Sequence, residues 1–338
     1  MKKKVALIYG GEGIERDISK RSADNLYSLI DKNKYDVLRI EIQKNGNWQA
    51  AADDGKYINT YPVLLDGVSG FLFDGEVMPT DCVLPCLHGD FGEDGTVQGA
   101  LTLAHLKYVG QDVYASAITS DKAYAKLVAK QLGIPTADWI VCDGEEADSA
   151  KLKAEKHLGY PLFIKPARLG SSYGAAPVKS AEEFSGAYAY AKGFDKRLVI
   201  EKLISFDYES ECALFDAGER KISAGGRVLS GGSFYDFNSK YDARLSPNTE
   251  AKSGSHPDIE EKIIEYTSAL ADFIGIRHIS RFDFFVTHGG EVFFNEINAF
   301  PGMTETSLYP RLTEDMGFAR GDFINLIIES VCKDDRDI

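Results

Sequence analysis

Residues 281 to 298 read RFDFFVTHGGEVFFNEIN, two runs of aromatic and β-branched residues on either side of a Thr-His-Gly-Gly stretch. Runs of this kind predict a β-hairpin that folds at Thr287–Gly290. Side chains alternate faces along a strand, so Arg281 and Asp283 share one face, as do Glu296 and Asn298. Folding the hairpin can bring the two pairs together. Asp, Glu and Asn offer hard oxygens that suit Mg²⁺ and leave coordination positions for phosphate and water. Arg281 beside them could stabilise charge on a phosphoryl group in transfer. The competing reading is a row of outward polar positions on a half-exposed sheet. Two acid-bearing strands, an arginine and a following Pro-Gly-Met-Thr loop favour the metal site.

Two further stretches carry related chemistry. In FIKPARLGSSYG (163–174) Lys165 ends a strand and a Gly/Ser loop follows. Backbone N–H groups of such a loop can cradle phosphate oxygens, and Lys165 adds a point charge. The loop lacks the Gly-Lys-Ser/Thr closure of a P-loop, and on its own it reads as an ordinary turn. In VIEKLISFDYESE (199–211) Glu201 ends an apolar strand, from which it could hydrogen-bond an adenine at a hinge. Glu209 lies beyond and could take ribose hydroxyls. In isolation both read as surface acids at a strand end.

The elements that must position these groups follow from periodicity. KVALIY (4–9), YDVLRIEIQ (35–43) and CVLPCLHG (82–89) read as strands, with helices at SKRSADNLYSLIDK (19–32) and TVQGALTLAHL (96–106). This alternation predicts a parallel, doubly wound sheet over roughly the first 110 residues. A helix follows at DKAYAKLVAKQLG, with Asp121 near its start and Gly133 past its end. Strands at 137–142, 161–166, 175–179 and 197–204, with helices at 149–159 and 180–192, predict a small mixed α/β unit. From about residue 207 longer strands suggest an antiparallel sheet supported by the helices DIEEKIIEYTSALADFIG and GDFINLIIESV. The expected division is 1–110, 111–206 and 207–338.

A chain of 338 residues exceeds one ordinary core. The net charge of -14, without a Lys/Arg block, argues against a nucleic-acid binder. The apolar run after Lys2–Lys4 is far too short for a signal-peptide core, and no run approaches a membrane-spanning length. Cys82, Cys86, Cys142, Cys212 and Cys332 are odd in number and scattered, which suggests buried free thiols and a cytoplasmic protein. Gly10, Gly11 and Gly13 follow the first strand but do not make the GxGxxG of a dinucleotide-binding oxidoreductase.

The order Lys122, Lys165 with its loop, Glu201 and Glu209, then Asp283, Glu296 and Asn298 resembles that of the ATP-grasp enzymes, which clamp ATP between two α+β domains. GGEGIERDISKRSA, LHGDFGEDGTVQGAL, TSDKAYAKLVAKQLGIP, KPARLGSSYG, FYDFNSKY and NEINAFPGMTETSLYP narrow the resemblance to the D-alanine–D-alanine ligase family, from about residue 4 to 331. HGxxGEDGxxQG together with ExNxxPGMT is highly specific to that family.

The resemblance implies an ATP-grasp fold behind a doubly wound N-terminal domain, and ATP-dependent formation of D-alanyl-D-alanine for peptidoglycan precursors. It implies that Lys122, Lys165 and Ser172 contact ATP phosphates, with Lys240 also at the nucleotide and Glu201 and Glu209 on adenine and ribose. Asp283, Glu296 and Asn298 would hold two Mg²⁺ ions, with Mn²⁺ as a possible substitute. Arg281 and the Gly302 backbone would stabilise the phosphoryl intermediate. Glu15, with His88 close by, would hold the first D-alanine's ammonium. Glu15, Ser171 and Tyr241 would form a triad pinning a lid at 231–256 over the site. Ser307 would take the acceptor carboxylate. Relatives that prefer D-serine are expected to carry Phe at position 235 and Arg at 308. Tyr235 and Leu308 therefore favour D-alanine, with D-serine as the alternative acceptor. A non-catalytic nucleotide binder on the same scaffold is a third reading, against which the intact set Arg281, Asp283, Glu296 and Asn298 speaks. A homodimer is usual for the family.

Overall fold

A computed structural model of the chain describes residues 1–51, 56–229, 248–251, 254 and 256–333. Strand β1 (Lys3–Gly10) ends in six consecutive buried residues, the pattern of a strand covered on both faces. Gly10 closes it at φ +96°, where a Cβ would strike the Ile42 carbonyl oxygen. Helix α1 (Arg16–Leu29) leads to β2 (Tyr35–Ile42), parallel to β1. β3 (Trp48–Ala51) and β4 (Tyr57–Asn59) then extend the sheet antiparallel.

The next three strands depart from the expected parallel winding. β5 (Pro62–Leu65), β6 (Val68–Phe73) and β7 (Glu76–Pro79) form a separate antiparallel sheet. Asp66-Gly67 and Asp74-Gly75 connect them with all four residues at positive φ, the turn chemistry that a two-residue hairpin demands. β8 (Cys82–Pro85) returns to the first sheet, parallel to β1, and gives the order β4-β3-β2-β1-β8. The parallel arrangement thus covers the central strands, with antiparallel additions at one edge.

After α2 (Thr96–Leu103) and α3 (Val113–Ser120), Asp121 caps α4 (Lys122–Gln131) by accepting from the Ala123 N–H, and an ion pair to Arg197 Nε (2.7 Å) fixes it there. β9 (Trp139–Asp143), α5 (Ala147–His157), β10 (Leu162–Pro166), β11 (Ala176–Val178), α6 (Phe184–Lys192) and β12 (Arg197–Lys202) build an antiparallel sheet in the order β11-β10-β12-β9, with α5 and α6 packed on it.

The largest sheet combines β13 (Tyr208–Asp216), β14 (Arg220–Ile222), β15 (Gly226–Leu229) and β16 (Asn248–Glu250) with two later strands. These are β17 (Ile279–Val286) and β18 (Val292–Asn298), which follow α7 (Pro257–Ile274). α8 (Leu308–Asp315) and α9 (Asp322–Lys333) complete the chain's described helices. Ala125 and Ala129 of α4 pack with Ile263, Leu270, Phe282, Phe284 and Phe294. α4 is thereby pressed on the sheet beside β18. A second core joins Leu7, Leu26 and Leu84 to Tyr309, Phe323 and Ile327, so the first and last sheets share one interior. Cys82, Cys86, Cys142 and Cys212 are buried and Cys332 is half-buried. Among the described residues, no helix is long and apolar enough to cross a membrane.

Candidate active site

The site is built first from the β17–β18 hairpin. Phe284 pairs with Phe294, but Asp283 pairs with Glu296 and Arg281 with Asn298, because a β-bulge interrupts the ladder. The extra residue lets Ile297 turn into the core while Glu296 and Asn298 stay half-buried on the other face. Arg281 grips Asp283 through Nε and Nη2, each at 2.7 Å, and Asn298 Nδ2 donates to Asp283 Oδ2 at 3.0 Å. Glu211, directly across β13 from Asp283, lies 3.2 Å from Arg281 Nε. Burial works against the Arg281 charge, but Asp283 and Glu211 outweigh it and hold the guanidinium well above its ordinary pKa. It is a permanent cation.

Three lysines approach this face. Lys122, at the capped start of α4, lies 3.3 Å from Glu296 Oε2 and donates to the Leu169 carbonyl at 2.7 Å. Lys165 leaves β10 to reach Asn295 Oδ1 (2.9 Å) and Glu201 Oε2 (3.1 Å). Lys126, one turn after Lys122 and 1% exposed, places Nζ 3.0 Å from Glu201 Oε1. Burial alone would raise the Glu201 pKa, but the two lysines bring it below the usual carboxylate value. Burial brings Lys126 down to about 8, with Glu201 opposing.

Glu15 stands just before α1, 5% exposed, and Ser171 Oγ donates a short hydrogen bond to its Oε1. Ser171 and Ser172 sit at φ +54° and +59°, a left-handed pair that bends the loop toward Glu15. Among the described residues, Glu15 Oε2 has no hydrogen-bond donor. Burial raises the Glu15 pKa, with Ser171 and Lys122 opposing. His88 is buried nearby, and desolvation brings its imidazole down to about 4, so the ring is neutral near pH 7.

Two adjoining cavities open on these groups. One of about 260 Å³ is lined by Lys122, Arg168, Gly170, Glu296 and Asn298. The other, about 120 Å³, is lined by Glu15, His88, Ser171, Arg281, Gly302 and Leu308, and also touches Glu296, Asn298 and Ser307. Lys165, Glu201 and Glu209 line neither; Glu209 stands on β13 opposite Phe285, two positions before Glu211. Ser172 lies beside Ser171 in the loop after β10, outside both linings. Tyr235, Lys240, Tyr241 and most of 231–256 lie outside the described residues. Among the described residues, no cluster of three or more His, Cys, Asp and Glu side chains forms a ready metal cage. Two carboxylates and an amide oxygen on one face instead fit Mg²⁺ that completes its shell with phosphate oxygens and water.

The chain matches the family model described as "D-ala D-ala ligase C-terminus" over residues 128–329 and the one described as "D-ala D-ala ligase N-terminus" over residues 4–111. It is 34% identical to a D-alanine–D-alanine ligase of Thermoanaerobacter sp. (strain X514) over 97% of each chain. It is 33% identical to D-alanine–D-alanine ligase A of Escherichia coli (strain K12), over 97% of this chain and 95% of that one. The chain belongs to the D-alanine–D-alanine ligase family.

Solved structures of the family superimpose along nearly the whole length. The D-alanine–D-alanine ligase from Coxiella burnetii matches with a TM-score of 0.85 at 28% identity, over 98% of this chain and 94% of that one. The VanG D-Ala:D-Ser ligase from Enterococcus faecalis matches with a TM-score of 0.88 at 30% identity, over 98% and 100%. The fold is that of the ATP-grasp ligases. Several participants escaped the sequence reading of this family member. Lys126 is four residues after Lys122, the same-face spacing of a helix, and that signal was available. Glu211, two positions after Glu209, shares its face of the strand. Glu93, which lines both cavities, stands inside the HGxxGEDGxxQG motif, whereas Asn295 carried no signal, because a bulge places it.

Proposed function

We propose that this chain is an ATP-dependent ligase that joins two D-alanines for peptidoglycan precursors. The observation that carries the reading is one cavity holding both a buried carboxylate oxygen with an open acceptor, Glu15 Oε2, and the fixed cation Arg281. An ammonium satisfies the first, and a carboxylate becoming an acyl phosphate satisfies the second.

In this reading the γ-phosphoryl group passes to the first D-alanine's carboxylate, which turns a poor electrophile into one with a leaving group. The second amine then attacks the acyl phosphate and phosphate departs. Both steps develop negative charge, so preorganised cations supply most of the catalysis. Lys122, Lys165 and the Gly170–Ser172 loop take the phosphates, while Glu201 and Glu209 serve adenine and ribose. Asp283, Glu296 and Asn298 would hold Mg²⁺, or Mn²⁺ in its place, as two ions. When bound, Mg²⁺ would neutralise charge on the phosphates. Arg281 and the Gly302 N–H stabilise the transferred group. Glu15, braced by Ser171 and in the closed enzyme by Tyr241, holds the first ammonium, with the neutral His88 beside it.

Closure of 231–256, bringing Tyr235 and Lys240 with it, would keep water from the acyl phosphate. Ser307 and Leu308 stand where the acceptor enters, and Leu308 together with Tyr235 favours D-alanine over D-serine. We take the units as 1–110, 111–206 and 207–338, and the working protein as a cytoplasmic homodimer without nucleic-acid partners.

The test is purified protein with ATP, Mg²⁺ and D-alanine, alone and with excess D-serine or D-lactate, with products read by mass spectrometry. D-alanyl-D-alanine as the dominant product is expected. A dominant mixed product would reassign the acceptor, and no product with any acceptor would leave a nucleotide-binding scaffold.

A further inference from the structure

The Gly302 main chain belongs to no strand or helix, yet its neighbours are held from both sides. Phe300 N–H donates to Glu93 Oε1 at 3.2 Å. Met303 N–H donates to Ser22 Oγ at 3.2 Å, and the Met303 carbonyl accepts from Asn25 Nδ2 at 2.7 Å. Thr304 N–H donates to Ser307 Oγ at 3.0 Å. Pro301 has no N–H. Of the backbone donors from 300 to 304, only that of Gly302 has no acceptor among the described residues. Gly302 borders the cavity that holds Glu15 and Arg281. A side chain at this position would meet Ser307 Oγ at 3.1 Å.

The bracketing groups come from distant parts of the chain. Ser22 and Asn25 are three residues apart on α1, hence on one face, and α1 starts beside Glu15. Glu93 lies in the turn between β8 and α2, with its other oxygen accepting from Gly89 N–H at 2.8 Å. Ser22 is fully buried, and its Oγ also lies 3.4 Å from His88 Nε2. One helix therefore carries the ammonium-binding end and fixes the strip of backbone that faces the phosphoryl end.

We infer that Ser22, Asn25 and Glu93 are positioning residues that aim the Gly302 N–H at the acyl phosphate: Glu93 and Ser22 accept the Phe300 and Met303 N–H groups, Asn25 holds the Met303 carbonyl, and the Gly302 N–H is left for the substrate. The inference rests on the ligase reading above and deepens it. A donor preset in this way stabilises charge without reorganising during reaction, and displacement by about 1 Å is enough to cost on the order of 100-fold in rate.

The test is steady-state kinetics of Ser22→Ala and Asn25→Ala, alone and combined, with wild type alongside and thermal melting of each. Ser22→Ala is expected to lower kcat by about 10- to 100-fold, with KM for ATP and D-alanine within about two-fold. Asn25→Ala, at a half-buried helix position, loses less in the same direction. The double variant should lose less than the product of the two, because both act on one backbone segment. A kcat within two-fold of wild type in both single variants, or losses confined to KM, would overturn the inference. A wild-type protein that forms no dipeptide would instead remove the ligase reading itself.

Discussion

Asp283 faces Glu296 directly across the C-terminal hairpin, while the next pair along is Phe284 with Phe294, so Asn295 is the residue that the ladder leaves out. An unbroken register from Phe294 would have set Asn295 against Asp283 and Glu296 against Phe282, in the core. The bulge instead turns Ile297 inward and gathers Arg281, Asp283, Glu296 and Asn298 on the ligand face. Asn295, freed from pairing, reaches Lys165 at 2.9 Å. One inserted residue therefore supplies both the acidic face and a hold on a phosphate-directed lysine.

Glu296→Gln should remove an anionic metal ligand from this face while leaving the fold intact, since Glu296 is only half-buried. D-alanine-dependent phosphate release should fall by roughly 100-fold or more. Turnover at the wild-type rate would show that Glu296 holds no essential ion.

The buried Lys126–Glu201–Lys165 group makes a stability prediction. Replacing Glu201 by Leu strands two buried ammonium groups and should cost about 3–5 kcal/mol by urea denaturation. Adding Lys126→Met should recover part of that loss, and the coupling in the cycle measures the contact. Additive effects would mean that the lysines and Glu201 do not interact.

Glu93 predicts a pH dependence. Burial, and then repulsion from Glu15, push its carboxyl up to about 8. The folded protein keeps the proton where the unfolded chain, near the ordinary value of 4.5, has lost it. Its stabilising contribution is thus complete below about pH 4.5 and is lost as pH rises toward 8. Glu93→Gln, which stays neutral, should flatten the fall in stability between pH 5 and 8. An identical slope in the two proteins would contradict the shift.

Ser171→Ala removes the hydroxyl that favours the Glu15 carboxylate. The Glu15 pKa should rise further, because the hydrogen bond opposes the effect of burial. Since the ammonium needs the carboxylate, the acidic limb of kcat/KM for D-alanine should move to higher pH. The loss should be largest toward acid and smaller in alkali. A pH profile of unchanged shape would separate Ser171 from Glu15.

Much of the frame was legible in local signals. The apolar run of β1, the Asp121 cap before Lys122 and the two greasy strands around residues 287–290 each announce their element, because burial period and cap chemistry act over a few residues. The antiparallel sheet of β5–β7 was legible too, in its two Asp-Gly turns, though strand–helix alternation pointed elsewhere.

By itself the sequence determined which groups are available for chemistry and which elements carry them: lysines at a helix start and a strand end, a Gly/Ser loop, acids on a hairpin. Alternation along a strand is a property of the backbone, so Arg281 and Asp283 share a face whatever surrounds them. Only the tertiary structure decided that Glu296 and Asn298 join them, since the bulge at Asn295 answers to the packing of Phe294 and Ile297 against α4 and α7. It alone brought Glu15 to Ser171, Lys126 to Glu201, and Ser22 to the Gly302 segment. These contacts span long stretches of chain, and the shared cores that close those distances are a sum over many side chains that no local pattern records.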